Sequence, residues 1–260
     1  MFKGRTVKRA FERIGPGVHT GIPGRVQVCP APPGTGLRFG ALSVHVDHVR
    51  AADGSTVLAS AGQIVRTPEH LLAALYAAGI TDAQLILDGP EVPILDGSAL
   101  PWCAAIREVG IIEHGPIEPL RAVVLRIEAH GGVASATPGP VLALEVDVRF
   151  EAGPTGCARV EIPGDFCERV ACARTFAMER DVARLRAAGR GAGANLENTV
   201  IWGSDGPINP VRVPDEPVLH KLVDLVGDLA LLGRPLVGNL RVQRGSHALH
   251  HDLVRALLSA

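Results

Sequence analysis

The sequence predicts an α+β fold made of two consecutive two-layer domains. Two observations carry this reading. Short runs with strand character are followed by helical segments, and that layout occurs twice along the 260 residues. Between the two occurrences, residues 111–119 hold Gly115, Pro116 and Pro119, the breaks expected of a connection. The expected domains are therefore residues 1–116 and 117–260, related by layout and not by an aligned repeat.

In the first half, residues 5–12 alternate weakly and suggest an opening strand. GPGVHTG (15–21) follows as a glycine-rich turn, residues 25–30 as a strand and residues 31–36 as another turn. Residues 37–49 have strand character; His45 and His48 lie there without a carboxylate at ligand spacing and read as strand or surface histidines. In RTPEHLLAALYAAG, Thr67 suits the N-cap, Pro68 the first helical position and Glu69 the positive end of the helix. Leu71, Leu72 and Leu75 supply its buried face, and Gly79 ends it. Glu69 and His70 then fall in the first turn, where an exposed position is expected. A strand over residues 83–87, a loop over 89–102 and a helix over 103–109 complete this half.

In the second half, residues 122–127 and 142–150 read as strands. In the latter Leu142, Leu144, Val146, Val148 and Phe150 share one face. ARTF (173–176) is strand-like and precedes a helix over residues 178–188. A flexible loop (189–194), a strand (195–202), a long helix (217–233), a strand (236–242) and a final helix follow.

Composition excludes several function classes. A net charge of −1 gives no electrostatic case for a nucleic-acid partner. No run reaches the ~20 apolar residues that span a bilayer, and the first fifteen residues lack the apolar core of a signal peptide. The five cysteines include no C-x-x-C pair, which fits a reducing compartment. A cytoplasmic monomer without stable membrane insertion is expected. Lysines occur only at positions 3, 8 and 221, which singles out Lys221.

The chemistry converges on PVLHKLVDLVGDLALLG (217–233). In a helix, His220, Asp224 and Asp228 stand at i, i+4 and i+8, on one face. The residues between them are almost all apolar. One reading is the solvated face of an amphipathic helix. The other is a buried site, because buried carboxylates are costly unless paired or bound to a metal. Three protein ligands with one open position is the pattern of a catalytic zinc site. His220 and Asp224 would supply two ligands and His70 the third. Glu69 would then stand beside the metal as a general base. His247, at a strand–helix junction, could protonate a leaving amine, with Asp228 as its orienting carboxylate. Thr175 is a neutral donor able to stabilise an oxyanion.

EH at 69–70, ILDGSA at 94–99, ARTF at 173–176, NLENTVI at 195–201, HKLVDLVGDL at 220–229 and SHAL at 246–249 occur in this order, with GPGVHTG near the start. Together they resemble the UDP-3-O-acyl-N-acetylglucosamine deacetylase family, zinc amidases that commit a cell to lipid A synthesis. The resemblance covers nearly the whole chain. It implies two α+β domains packed face to face with the site between them, and an acylated UDP-amino sugar as substrate. It implies Zn2+ on His70, His220 and Asp224, Glu69 as general base, and His247 as general acid held by Asp228. Thr175 would help polarise the amide carbonyl, and Lys221 would bind substrate. Phe176, Met178 and the segment through Gly193 would line an acyl-chain passage, while Arg244 stands where the family usually has a lysine facing the diphosphate. Several neighbours depart from the family pattern. Ala177 and Met178 replace Gly-Phe, Leu219 replaces Arg, Ser246 replaces Gly and His250 replaces Asn. These departures leave two alternatives: a diverged member acting on another N-acyl amino sugar, or a non-catalytic zinc-binding relative. Retention of both Glu69 and His247 argues against the second, since neither is needed merely to hold a metal.

Overall fold

The computed structural model describes residues 2–50, 54–164 and 166–260. The fold is α+β. In the first half, Phe11–Pro16, Pro23–Pro30, Ala83–Asp88, Leu37–Phe39 and Leu42–Ser43 form a five-stranded sheet in that spatial order. Pro23–Pro30 shows why it forms: Gly24, Val26 and Val28 point inward in alternation with exposed or half-exposed neighbours. Val49–Arg50, Val57–Ser60 and Gln63–Arg66 make a small separate sheet. Lys3–Val7 pairs antiparallel with Ile111–Pro116. The expected strand over residues 5–12 is thus two strands, broken where Lys8 N–H bonds the Gly110 carbonyl. Residues 111–116, read as a break, are instead a paired strand, so any boundary falls after Pro116.

In the second half, Leu125–Ala129, Gly132–Thr137, Leu236–Gln243, Leu142–Arg149 and Thr155–Ile162 lie in that order, and Leu120–Arg121 pairs with Leu236–Gln243. Leu142–Arg149 runs parallel to Leu236–Gln243 and antiparallel to Thr155–Ile162. Gly132–Thr137 carries only glycine, alanine, serine, threonine and one valine, and lacks a hydrophobic period to announce a strand. Thr175–Met178, Thr199–Gly203 and Gly206–Pro207 form a further small sheet. Every described sheet lies wholly within residues 2–116 or wholly within 120–260.

The described residues form five α-helices: α1 (Glu69–Ala77), α2 (Leu100–Val109), α3 (Glu179–Ala187), α4 (Glu216–Leu229) and α5 (His247–Ser259). None is long and apolar enough to cross a membrane. α1 and α4 pack on each other, α4 also packs on Leu142–Arg149 and Thr155–Ile162, and α5 packs on Gly132–Thr137. Ala73, Ala74 and Ala77 keep α1 slim, and Leu71, Leu72 and Leu75 are fully buried. α4 tightens into a 3-10 turn, Ala230–Leu232, and stops at Gly233, whose φ of 68° is left-handed. One contiguous core includes Val26, Val28 and Leu85 of the first large sheet and Leu144, Leu240 and Val242 of the second. The central helix pair therefore carries its polar side chains inside an apolar surround.

Candidate active site and metal centre

The start of α1 is set by a buried carboxylate distant in sequence. Glu91 is fully buried and accepts from Thr67 Oγ1 at 2.7 Å, Thr20 Oγ1 at 2.8 Å and the backbone N–H of Thr20 at 2.8 Å and of His19 at 3.1 Å. Burial works against its charge, but these donors outweigh that cost and hold its pKa below the ordinary carboxylate value. The GPGVHTG turn is thus a wrapper for Glu91; a Cβ at Gly17 would lie 2.2 Å from Glu91 Oε2. Thr67 is not the N-cap expected from the sequence. Its hydroxyl is used by Glu91, its φ is 55°, and Pro68 takes the cap position without a side-chain bond. Nor is the first turn exposed: Glu69 and His70 are both buried.

The start of α4 is set by a buried ion pair. Glu216 Oε1 accepts from Arg174 Nε and Arg174 N, both at 2.9 Å, and Oε2 accepts from Arg174 Nη2 at 3.1 Å and Arg212 N at 2.7 Å. Arg174 also donates to the carbonyls of Glu197 and Pro210. The ARTF strand is thereby tied to the first residue of α4, four residues before His220.

His70, His220 and Asp224 converge, with one potential ligand atom from each lying within 4.8 Å of the others. His220 Nε2 stands 3.3 Å from Asp224 Oδ1. His220 Nδ1 is 2.9 Å from the Ala173 carbonyl, which can only accept, so Nδ1 carries the proton and Nε2 keeps its lone pair. Burial pushes His70 down to about 3 and lowers His220, keeping both imidazoles neutral. Burial opposes ionisation of Asp224 as well, yet Lys221 Nζ at 2.8 Å and the nearby His247 imidazolium hold it far below the ordinary value. Neutral imidazoles and an ionised carboxylate are the forms a metal binds. The residues therefore fit a divalent cation.

One turn on, Asp228 organises a second cluster. His247 Nδ1–H and His250 Nδ1–H both donate to Asp228 Oδ2, at 2.7 and 2.8 Å. Thr56 Oγ1 donates to Asp228 Oδ1 at 2.6 Å, so His251 Nε2–H donates to Thr56 Oγ1 at 2.9 Å. His247 Nε2 points to Glu69 Oε1 at 3.9 Å. Burial disfavours the imidazolium, but ionised Asp228 prevails and raises His247 to about 9. Burial pushes Glu69 up to about 8. Glu69 and His247, both buried and with shifted pKa values, thus flank the His70, His220 and Asp224 group.

The other expected site residues are more dispersed. Phe176 lies with its ring 6.3 Å from that of His220, and Lys221 Nζ sits 5.7 Å above the Phe176 ring. Thr175 begins the strand that follows the Ala173 carbonyl, its backbone N–H bonded to Gly97 O. Met178 is buried against Gly153, one residue before α3. α3 itself has no buried residue, and its apolar Val182 and Leu185 are only half-covered. Arg244 is exposed in the turn before α5, three residues from His247. A cavity of about 330 Å3 lined by Tyr76, Leu142 and Leu236 lies at the far end of α1 and takes in none of His70, His220 and Asp224.

Residues 4–259 match the model of the family described as UDP-3-O-acyl N-acetylglycosamine deacetylase. The chain belongs to this deacetylase family. Proteins named UDP-3-O-acyl-N-acetylglucosamine deacetylase share its sequence along nearly their whole length. That of Solibacter usitatus is 36% identical, covering 97% of this chain and 90% of the relative. That of Thermosynechococcus vestitus is 38% identical over 97% and 93%, and that of Myxococcus xanthus 34% over 98% and 86%.

Within this deacetylase-family chain, sequence reasoning missed Thr56, Glu91, Glu216 and His251, and took His250 only as a departure from the family pattern. His250 and His251 stand at i+3 and i+4 from His247, a helical spacing that places them on the same side of α5. Thr56 has no such signal, since its partner Asp228 is 172 residues away.

Proposed function

We propose that the chain removes the N-acetyl group of UDP-3-O-acyl-N-acetylglucosamine, releasing acetate and a free amine, as a zinc-dependent amidohydrolase of lipid A synthesis. Membership of the family supports the reaction. The observation that carries it to these residues is the opposition of Glu69 and His247, 3.9 Å apart beside His70, His220 and Asp224. His70, His220 and Asp224 hold the zinc; two nitrogens and one oxygen suit that ion. Zinc supplies Lewis acidity, activating water and polarising the amide carbonyl.

The chain's own groups handle the protons. Glu69 accepts a proton from the attacking water. His247 Nε2–H gives its proton to the departing nitrogen, and Asp228 fixes the ring with Nδ1 protonated and stabilises its charge. Thr175 donates to the oxygen on which negative charge develops. Lys221 and Arg244 meet the anionic part of the substrate, and Phe176 and Met178 border the acyl chain. Residues 1–116 and 117–260 act as two domains that each bring part of the site; the confinement of every described sheet to one half supports this division. The protein works as a cytoplasmic monomer.

Acetate release from the acylated UDP-sugar, assayed beside zinc content, tests the proposal. One zinc per chain and activity abolished by a chelator are expected. Asp224→Ala should lose both zinc and activity. Full zinc occupancy in Asp224→Ala, or turnover that survives metal removal, would overturn it.

A further inference from the structure

Two cysteines outside the site lie against each other. Cys103 is in α2 and buried; Cys167 is in a short π-helical turn, Phe166–Val170, and partly exposed. Their sulfurs are 2.8 Å apart, although the residues are 64 apart in sequence. The turn is anchored by Phe166 and Val170, both fully buried, so this proximity is built into the packing and not left to a mobile side chain. Among the described residues, Cys29, Cys157 and Cys172 have no cysteine as a bonding partner.

We propose that Cys103 and Cys167 are a dithiol–disulfide pair, oxidised by low-molecular-weight disulfides, that reversibly staples α2 to the turn leading into Ala173 and Thr175. The two thiols have the asymmetry that exchange requires. The S–H of Cys103 steadies a thiolate on Cys167 and lowers its pKa, while Cys103 is raised by its bond to Cys167 and by burial. The partly exposed Cys167 thiolate attacks one sulfur of the small disulfide, forming a mixed disulfide and releasing one small thiolate. Cys103 then attacks the Cys167 sulfur, its proton passing to the second departing thiolate. The protein loses two electrons and two protons, and one small disulfide becomes two thiols. The bond would join the segment that carries the Ala173 carbonyl, on which His220 rests, to the helix that follows the Gly97 turn.

The test uses the full chain equilibrated in glutathione buffers from reducing to oxidising, quenched by acid and mapped without reduction. The expected product is a peptide linked through Cys103 and Cys167. The oxidised protein should melt about 5–10 °C higher, because the link closes a long loop. Cys103→Ala and Cys167→Ser should each lose that increment. Glutathione adducts alone, a link through Cys172, or thiols that stay free in the most oxidising buffer would overturn the proposal. The mapping is done on the unmutated protein, so it decides the matter even if a variant fails to fold.

Discussion

A β-carbon on Gly227 would lie 2.2 Å from the main-chain oxygen of Glu69. α4 therefore meets the first turn of α1 backbone to backbone, between Asp224 and Asp228. This contact places the proposed base beside the proposed ligands, and only glycine permits it. In an isolated helix Ala would be preferred to Gly by ~1 kcal/mol. Here the overlap is with buried backbone that cannot rotate away, and overpacking costs up to about 3 kcal/mol. Gly227→Ala should thus lower Tm by roughly 5 °C and reduce zinc content. A variant with unchanged Tm and full zinc would show that the helices separate at little cost.

The proposed acid–base pair, Glu69 as base and His247 as acid, makes a signed pH prediction. Glu69 must be ionised, so activity is lost as pH falls through its pKa. His247 must be protonated, so activity is lost as pH rises through its own. Without a metal those values are about 8 and about 9. A nearby cation favours the ionised carboxylate and moves the acidic limb of kcat/KM below 8. The alkaline limb depends on Asp228, whose charge raises His247. Asp228→Asn should shift that limb to lower pH as well as reduce the rate. An alkaline limb that stays put in Asp228→Asn would remove His247 from the role of acid.

The parts legible in the sequence were those with a local signature. His220, Asp224 and Asp228 could be placed on one face because a helix converts a spacing of four into proximity. His70 and Glu69 were readable from helix-start residues, though their burial was not; exposure is decided by α4 packing over the turn, and Gly227 gives no local sign of that. Thr67 misled because a threonine before a helix usually caps it, and nothing nearby reveals the competing Glu91. Strand positions failed where side chains are small, as in Gly132–Thr137. The Cys103–Cys167 contact is tertiary and has no spacing to read.

The Arg174–Glu216 pair predicts acid sensitivity of the fold. Burial raises the Glu216 pKa, but Arg174 and the two backbone donors prevail and set it below 4.5. A depressed folded-state pKa means the stabilisation is present above the ordinary value and lost as pH falls through the folded one. Glu216→Gln should lower Tm at neutral pH and flatten the acid dependence below pH ~4.5. Arg174→Met strands the buried carboxylate and should cost about 3–5 kcal/mol, read from denaturant midpoints. Equal acid dependence in Glu216→Gln and the unmutated chain would assign the effect elsewhere.

The proposed acyl-chain passage makes Phe176 its link to the chemistry. Its ring contacts both Phe150, at 5.6 Å between centroids, and His220, at 6.3 Å, and Lys221 Nζ lies above it. α3 packs on the strand that carries Phe176, and its apolar Val182 and Leu185 are left half-covered, a surface that an alkyl chain can complete. Each buried methylene contributes about 0.8 kcal/mol, so even four would be worth about a hundredfold in binding. Removing the 3-O-acyl group should therefore lower kcat/KM by at least that factor. Phe176→Ala should narrow the difference between acylated and unacylated substrates, and Phe176→Leu should restore part of it. Met178 is unbranched and adaptable, so several chain lengths should be accepted with similar kcat/KM. Equal kcat/KM for acylated and unacylated substrates in the unmutated enzyme would refute the passage and point to a different N-acyl sugar.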